Sequence, residues 1–182
     1  MSQTITKSLE KVPAYALGAC EILGASLLLA LSAQVSLLTP FLLVPFTLQT
    51  LVLFLISTYL GPKRAVLAVA CYLAEGAAGL PVFAQGTSGI LALIGPRAGY
   101  FAGFIASAYV VGRLTEKYRG FFGLVLSFAI GTLAIYTLGF AWLSYWIGLK
   151  QAFSVGVLPF LMGEMPLKIL AAAAITTGFR KA

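Results

Sequence analysis

"GLPVFAQGTSGILALIGPRAG", Gly79 to Gly99, decides how the rest of the chain is read. Its two prolines and five glycines are too many for a smooth helix. It is nevertheless too apolar for a loop washed by water. Irregular backbone of this kind is tolerated at membrane depth only where protein buries it or where it lines a cavity.

The whole chain agrees with that setting. Of its 182 residues 60% are hydrophobic and 9% charged, with a mean hydropathy of +1.00, against roughly 25% charged residues in a soluble domain. A membrane protein is expected. Histidine is absent altogether, which excludes His-based acid/base catalysis, His-bound zinc and Ser/His/Asp triads. Cys20 and Cys71 lie inside apolar runs without metal-ligand spacing and read as small packing residues. No metal, cofactor or catalytic residue is expected. The net charge of +7 is spread over the edges of apolar segments rather than gathered on a face, so nucleic acid is not an expected partner. There is no phosphate-binding GxxxxGK[ST] loop, so energy for any pumping must come from another subunit.

Lys7 and Lys11 ahead of an apolar run ending in "ALSA" (Ala30 to Ala33) imitate a signal peptide. The run from Val12 to Ala33 is 22 residues long and contains Glu21, which points to an uncleaved first helix instead. Pro, Gly and charges then bound six helices, making one all-α membrane domain over 1–182: Pro13–Gln34, Val44–Leu60, Ala65–Gly79, Gly99–Leu114, Phe121–Ile147 and Ser154–Gly178. Several fall short of the ~20 residues that cross hydrocarbon unaided, so neighbouring irregular segments must complete the crossing. Nine Lys and Arg (Lys7, Lys11, Lys63, Arg64, Arg113, Lys117, Arg119, Arg180, Lys181) fall on one side and two, Arg97 and Lys150, on the other. Both termini are therefore expected in the cytoplasm, with the chain in the cell membrane and the 79–99 loop facing outward.

Ionisable groups within apolar spans each carry an insertion cost of about 2.5–3.5 kcal/mol at a helix centre and are functional candidates by default. In "PFLMGEMPLK", Pro159 to Lys168, Glu164 and Lys168 stand one helical turn apart, with Pro166 between them freeing the Met162 carbonyl. Either they bind a ligand or they form a structural ion pair. Glu75 shapes the same cavity, or is protonated, or caps a loop. Glu21 is expected to snorkel to the cytoplasmic headgroups. Gln49 offers a carboxamide for a ligand or for interhelical packing, and Arg97 holds an anion or touches headgroups. Small residues four apart on the first helix, Ser26 with Ala30 and Cys20 with Gly24, permit close helix approach, either within the bundle or to a partner protein.

Taken together, "VPFTLQTL", "YLAEGAAGLPVFAQG", "IGPRAGYFAGF" and "LPFLMGEMPLK" closely resemble the BioY family, the biotin-binding S components of energy-coupling factor transporters. The resemblance runs over nearly the whole chain and implies six helices with both termini inside. It implies biotin as the ligand. It also implies a transmembrane coupling protein and ATPase subunits as partners, which dock on the first helix, where Ser26 and Ala30 lie. It implies Glu164, Lys168 and Gln85 as ligand contacts; the chemistry of biotin then suggests Glu164 and Gln85 for the ureido NH groups, Lys168 or Arg97 for the ureido oxygen or the carboxylate, and Phe83 and Tyr100 around the rings. One departure is the spacing from Glu164 to Lys168, four residues where the family pattern has three. A self-sufficient proton-coupled carrier titrating Glu75 and Glu164 is the alternative from another class. An intramembrane enzyme lacks a nucleophile beside a base.

Overall fold

The computed structural model describes residues 14–37, 45–163 and 165–181. The first helix, α1, spans Ala14–Gln34. Two short antiparallel strands follow, β1 (Ser36–Leu37) and β2 (Phe46–Thr47), pairing Ser36 with Thr47 and Leu37 with Phe46. The expected second helix thus starts later than Val44, a residue outside the described ones. Pro45 has no amide proton to give a helix, and Phe46 and Thr47 suit an extended backbone.

Helix α2 is assigned as one run, Gln49–Ala77, but Gly61 within it has φ 75° and ψ 175°. Gln49 Nε2 donates to Tyr72 Oη at 2.8 Å. In a straight helix, residues 23 positions apart stand about 35 Å from each other. The chain therefore turns back at Gly61, and α2 is a hairpin with arms 49–60 and 62–77. Pro62 opens the second arm, where its missing N–H is no loss and its fixed φ is already helical. The two-helix expectation holds here, with the second arm beginning three residues ahead of the expected Ala65.

Beyond α2 come a single 3-10 turn (Ala84–Gly86), α3 (Ile90–Ile94), α4 (Ala98–Lys117) and α5 (Phe121–Ile147). Helices α4 and α5 pack antiparallel with their backbones close. A Cβ on Gly103 would fall 2.7 Å from Ile135 Cα, and one on Gly99 would fall 2.4 Å from the Leu138 carbonyl. Lipid supplies no hydrophobic drive between helices, so such close approach provides the packing energy. At the far end of α4 the tip of the α2 hairpin rests on Gly112, whose added Cβ would lie 2.6 Å from Pro62.

The expected last helix, Ser154–Gly178, is three pieces: α6 (Leu149–Gly156), α7 (Leu158–Met162) and α8 (Met165–Lys181). Pro159 sits at the start of α7 and Gly163 ends it. Pro166 lies in the first turn of α8, where it ends no helix and begins one. Lys168 is on α8, while its expected partner Glu164 lies outside the described residues.

Among the described residues, three helical runs are long and apolar enough to cross a membrane: Ala16–Gln34, Gln49–Ala77 and Phe121–Ile147. The pieces 149–162 and 165–179, bent by 42°, reach that length only when taken together, as one broken span or a re-entrant loop. Because Gln49–Ala77 folds back, its arms are each shorter than the usual crossing length. Arg64 pairs with Glu21 at 2.6 Å, so Glu21 meets a cation rather than headgroups alone. That pair, Arg113 with its partner Glu116 at 3.2 Å, and the Gly61 turn all gather at the end of the bundle opposite Gln49.

Candidate functional site

At the Gln49 end, β2, the start of α2, the 79–99 loop and the first turns of α4 meet α5, α7 and α8 around a cavity of about 600 Å³, mouth included. Its wall is aromatic: Phe83, Tyr100, Phe101, Phe104, Tyr136 and Phe160 line it. The rings brace one another, Phe83 against Phe101 with centroids 5.1 Å apart, Tyr136 against Phe160 at 5.7 Å and Tyr100 against Tyr136 at 6.4 Å. Edge and tilted contacts of this kind stiffen a pocket beyond what burial alone provides.

Glycines set the rings in place. The ring of Phe83 occupies the space a side chain at position 76 would need, since a Cβ on Gly76 would fall 2.0 Å from Phe83 Cζ. Tyr100 likewise lies over Gly139, and its hydroxyl donates to the Gly156 carbonyl at 2.9 Å. That bond pins α4 to α6.

The polar groups on the wall are few: Thr47, Gln49, Thr50 and Arg97. Gln49 is 4% exposed, and its Nε2 is committed to Tyr72. Arg97 stands immediately before α4, half-buried, with no ion pair among the described residues. Lys168, 7% exposed, reaches from α8 and donates to the carbonyl of Thr47, tying the strand at the rim to the last helix. Among the described residues the charged groups at this end of the cavity are both cations.

Of the residues expected at a binding site, Phe83, Tyr100, Gln49 and Arg97 come together on the cavity, and Lys168 contacts its rim through Thr47. Gln85 and Glu75 do not line it. Gln85 is exposed in a turn, with φ 65° and ψ 26°, a left-handed conformation uncommon outside glycine. Glu75 turns its carboxylate to α1, where Oε2 accepts from Ser26 Oγ at 2.7 Å, while Oε1 accepts from Cys71 on its own helix at 3.4 Å. Ser26 is therefore internal, 0% exposed, and Ala30 is buried too. The small pair left open is Cys20 and Gly24, on an exposed stripe with Leu17, Leu27 and Leu31.

Sequence reasoning missed Phe101, Phe104, Tyr136, Phe160, Thr47 and Thr50. The spacing of Tyr100, Phe101 and Phe104 in "GYFAGF" puts three rings near one helix face and was a usable signal. Tyr136 had none, because nothing local marks which face of an all-apolar helix looks inward. The 79–99 loop is irregular as expected, yet only part of its apolar content faces the cavity. Ile90, Leu91 and Ile94 are 63%, 80% and 56% exposed, which on a membrane protein suits lipid.

Comparison with known proteins bears on the family and the fold. The BioY family model matches residues 7–182. The chain is 42% identical over 139 residues to the biotin transporter BioY of Thermotoga maritima, covering 76% of this chain and 82% of that one. It is 37% identical over 122 residues to a probable biotin transporter BioY of Pyrococcus horikoshii, covering 67% and 72%. In fold it matches the crystal structure of the S-component for biotin from an ECF-type ABC transporter, with a TM-score of 0.81, 21% identity and 92% and 93% of the two chains covered. Matched by the family model over residues 7–182 and 42% identical to one of its relatives, this chain belongs to the BioY family.

Proposed function

We propose that this chain is a biotin-binding S component of an energy-coupling factor transporter. Membership of a family of biotin transporters supports the ligand. The observation that carries the reading is the cavity itself: aromatic walls for an apolar ring system, with Arg97 on the wall and Lys168 at the rim for a carboxylate or a polarised carbonyl. Phe83 and Tyr100 enclose the rings, Gln49 faces a polar edge of the ligand, and Glu164 takes a ureido NH. Gln85 and Glu75 are left out of the contact set, the first exposed at the turn and the second engaged by Ser26.

In this reading the chain forms six spans in the cell membrane with both termini in the cytoplasm. Lys63, Arg64, Arg113, Lys117 and Arg119 lie at or next to the hairpin tip and the end of α4, the side the positive-inside bias assigns to the cytoplasm. The cavity then opens outward. A transmembrane coupling protein meets the exposed Cys20 and Gly24 stripe of α1, and ATPase subunits supply the energy. No catalysis and no cofactor of its own are involved. A self-sufficient proton-coupled carrier is disfavoured because Glu75 faces α1 instead of the ligand path.

The test is saturable binding of radiolabelled biotin to the purified chain at submicromolar ligand, then uptake into liposomes with and without an added energy-coupling module. Binding by the chain alone with ATP-driven uptake only alongside the module is expected. Absence of saturable binding, or pH-driven uptake by the chain alone, would overturn it.

A further inference from the structure

The stretch 81–86 delivers Phe83 and Ala84 to the cavity, so what holds that stretch holds part of the site. Its own hydrogen bonds are short-range: Phe83 N donates to Thr87 O at 3.1 Å, Thr87 Oγ1 to Ala84 O at 3.0 Å and Val82 N to Leu80 O at 2.8 Å. None of these fixes the stretch to the bundle. Gln34, the last residue of α1, does. Its Nε2 lies 3.1 Å from Phe83 O, 3.3 Å from Val82 O and 3.5 Å from Pro81 O, while its Oε1 accepts the Gly86 N–H at 3.1 Å. Two amide protons shared among these carbonyls, and an acceptor for the amide beyond the turn, let one carboxamide bracket the stretch from both sides. Among the described residues, every hydrogen bond from 81–87 that reaches past the adjoining Leu80 ends on Gln34.

We propose that Gln34 is a positioning residue for the ligand site, a clasp at the end of α1 that holds the 81–86 turn, and with it Phe83, closed over the cavity. The proposal deepens the binding reading above and rests on it. The carboxamide is needed in both halves. A carboxylate would keep the acceptor for Gly86 but set negative oxygens against the carbonyls of Val82 and Phe83, and a methionine of equal length would lose donor and acceptor together. Gln34 is exposed at a helix end, so these replacements leave the buried packing of α1 untouched.

The experiment compares the full chain with Gln34→Met and Gln34→Glu, reading biotin association and dissociation rates, thermal unfolding, and amide exchange at residues 82–86 without ligand. Both variants are expected to keep the unfolding temperature within a few degrees and raise the dissociation rate at least tenfold without slowing association, and Gln34→Met, which removes the acceptor, to speed exchange of the Gly86 amide. A residue that served stability alone would lower the unfolding temperature and leave the dissociation rate where it was, which would overturn the proposal. Unchanged exchange at Gly86 in Gln34→Met would do so as well. If the parent chain binds no biotin, the functional reading fails by itself, and the exchange measurement still decides whether Gln34 is the clasp.

Discussion

Gln49 and Tyr72, 23 residues apart, share a 2.8 Å hydrogen bond across the mouth of the α2 hairpin. The bond joins the cavity wall to the support of its lid, because Tyr72 also meets Phe83 edge-on at 5.5 Å. Both partners are buried, so neither finds water if the other is lost.

Replacing Tyr72 by Phe keeps the ring contact and removes the acceptor for Gln49 Nε2. A buried donor left alone costs about 1–2 kcal/mol. Lower thermal stability is expected in Tyr72→Phe, together with a several-fold weaker biotin affinity as Gln49 reorients. An unfolding curve and a binding isotherm on the same preparation check both.

Gly76→Ala places a methyl where the Phe83 ring now lies. Overpacking of this sort costs about 1–3 kcal/mol when the ring cannot move, and here the ring moves toward the cavity or out of it. Biotin affinity is expected to fall at least tenfold. Adding Phe83→Leu to Gly76→Ala should recover stability while affinity stays low, and a full recovery of affinity would show that the ring does not contact the ligand.

Arg97→Ala and Lys168→Ala are each expected to weaken biotin binding by at least tenfold, about 1.4 kcal/mol. The two are told apart with biotin amide, which lacks the negative charge. The variant that loses its preference for the acid over the amide has lost the carboxylate contact. If both variants keep that preference, neither cation reads the carboxylate.

Glu75→Gln retains an acceptor for Ser26 and abolishes titration. Biotin binding within twofold of the parent, and module-driven uptake unaffected, are the expected outcomes. A collapse of uptake with binding intact would revive proton coupling.

Membrane orientation is checked with single cysteines on a background lacking Cys20 and Cys71. A cysteine at Lys150 should react with an impermeant reagent added outside intact cells, and one at Lys117 only after permeabilisation. The reverse pattern would invert the topology.

The sequence already held a good part of this. Apolar runs bounded by Pro, Gly and charge placed α1 and α5 almost to the residue, and Pro62 and Gly61 marked a break that backbone chemistry alone demands. The motif around Phe83, Arg97 and Tyr100 named the cavity wall because those residue types carry rings and charge wherever they land. Position relative to neighbours was another matter. Nothing in the chain's local pattern says that Glu75 turns to Ser26 and not to the ligand, that Ser26 and Ala30 face inward while Cys20 and Gly24 do not, or that the last helix is three pieces. Nor does it say that a glutamine ending α1 holds a turn about fifty residues later. An almost uniformly apolar helix has no polar face to announce its inside, so which side meets protein and which meets lipid was settled only when the other helices packed against it.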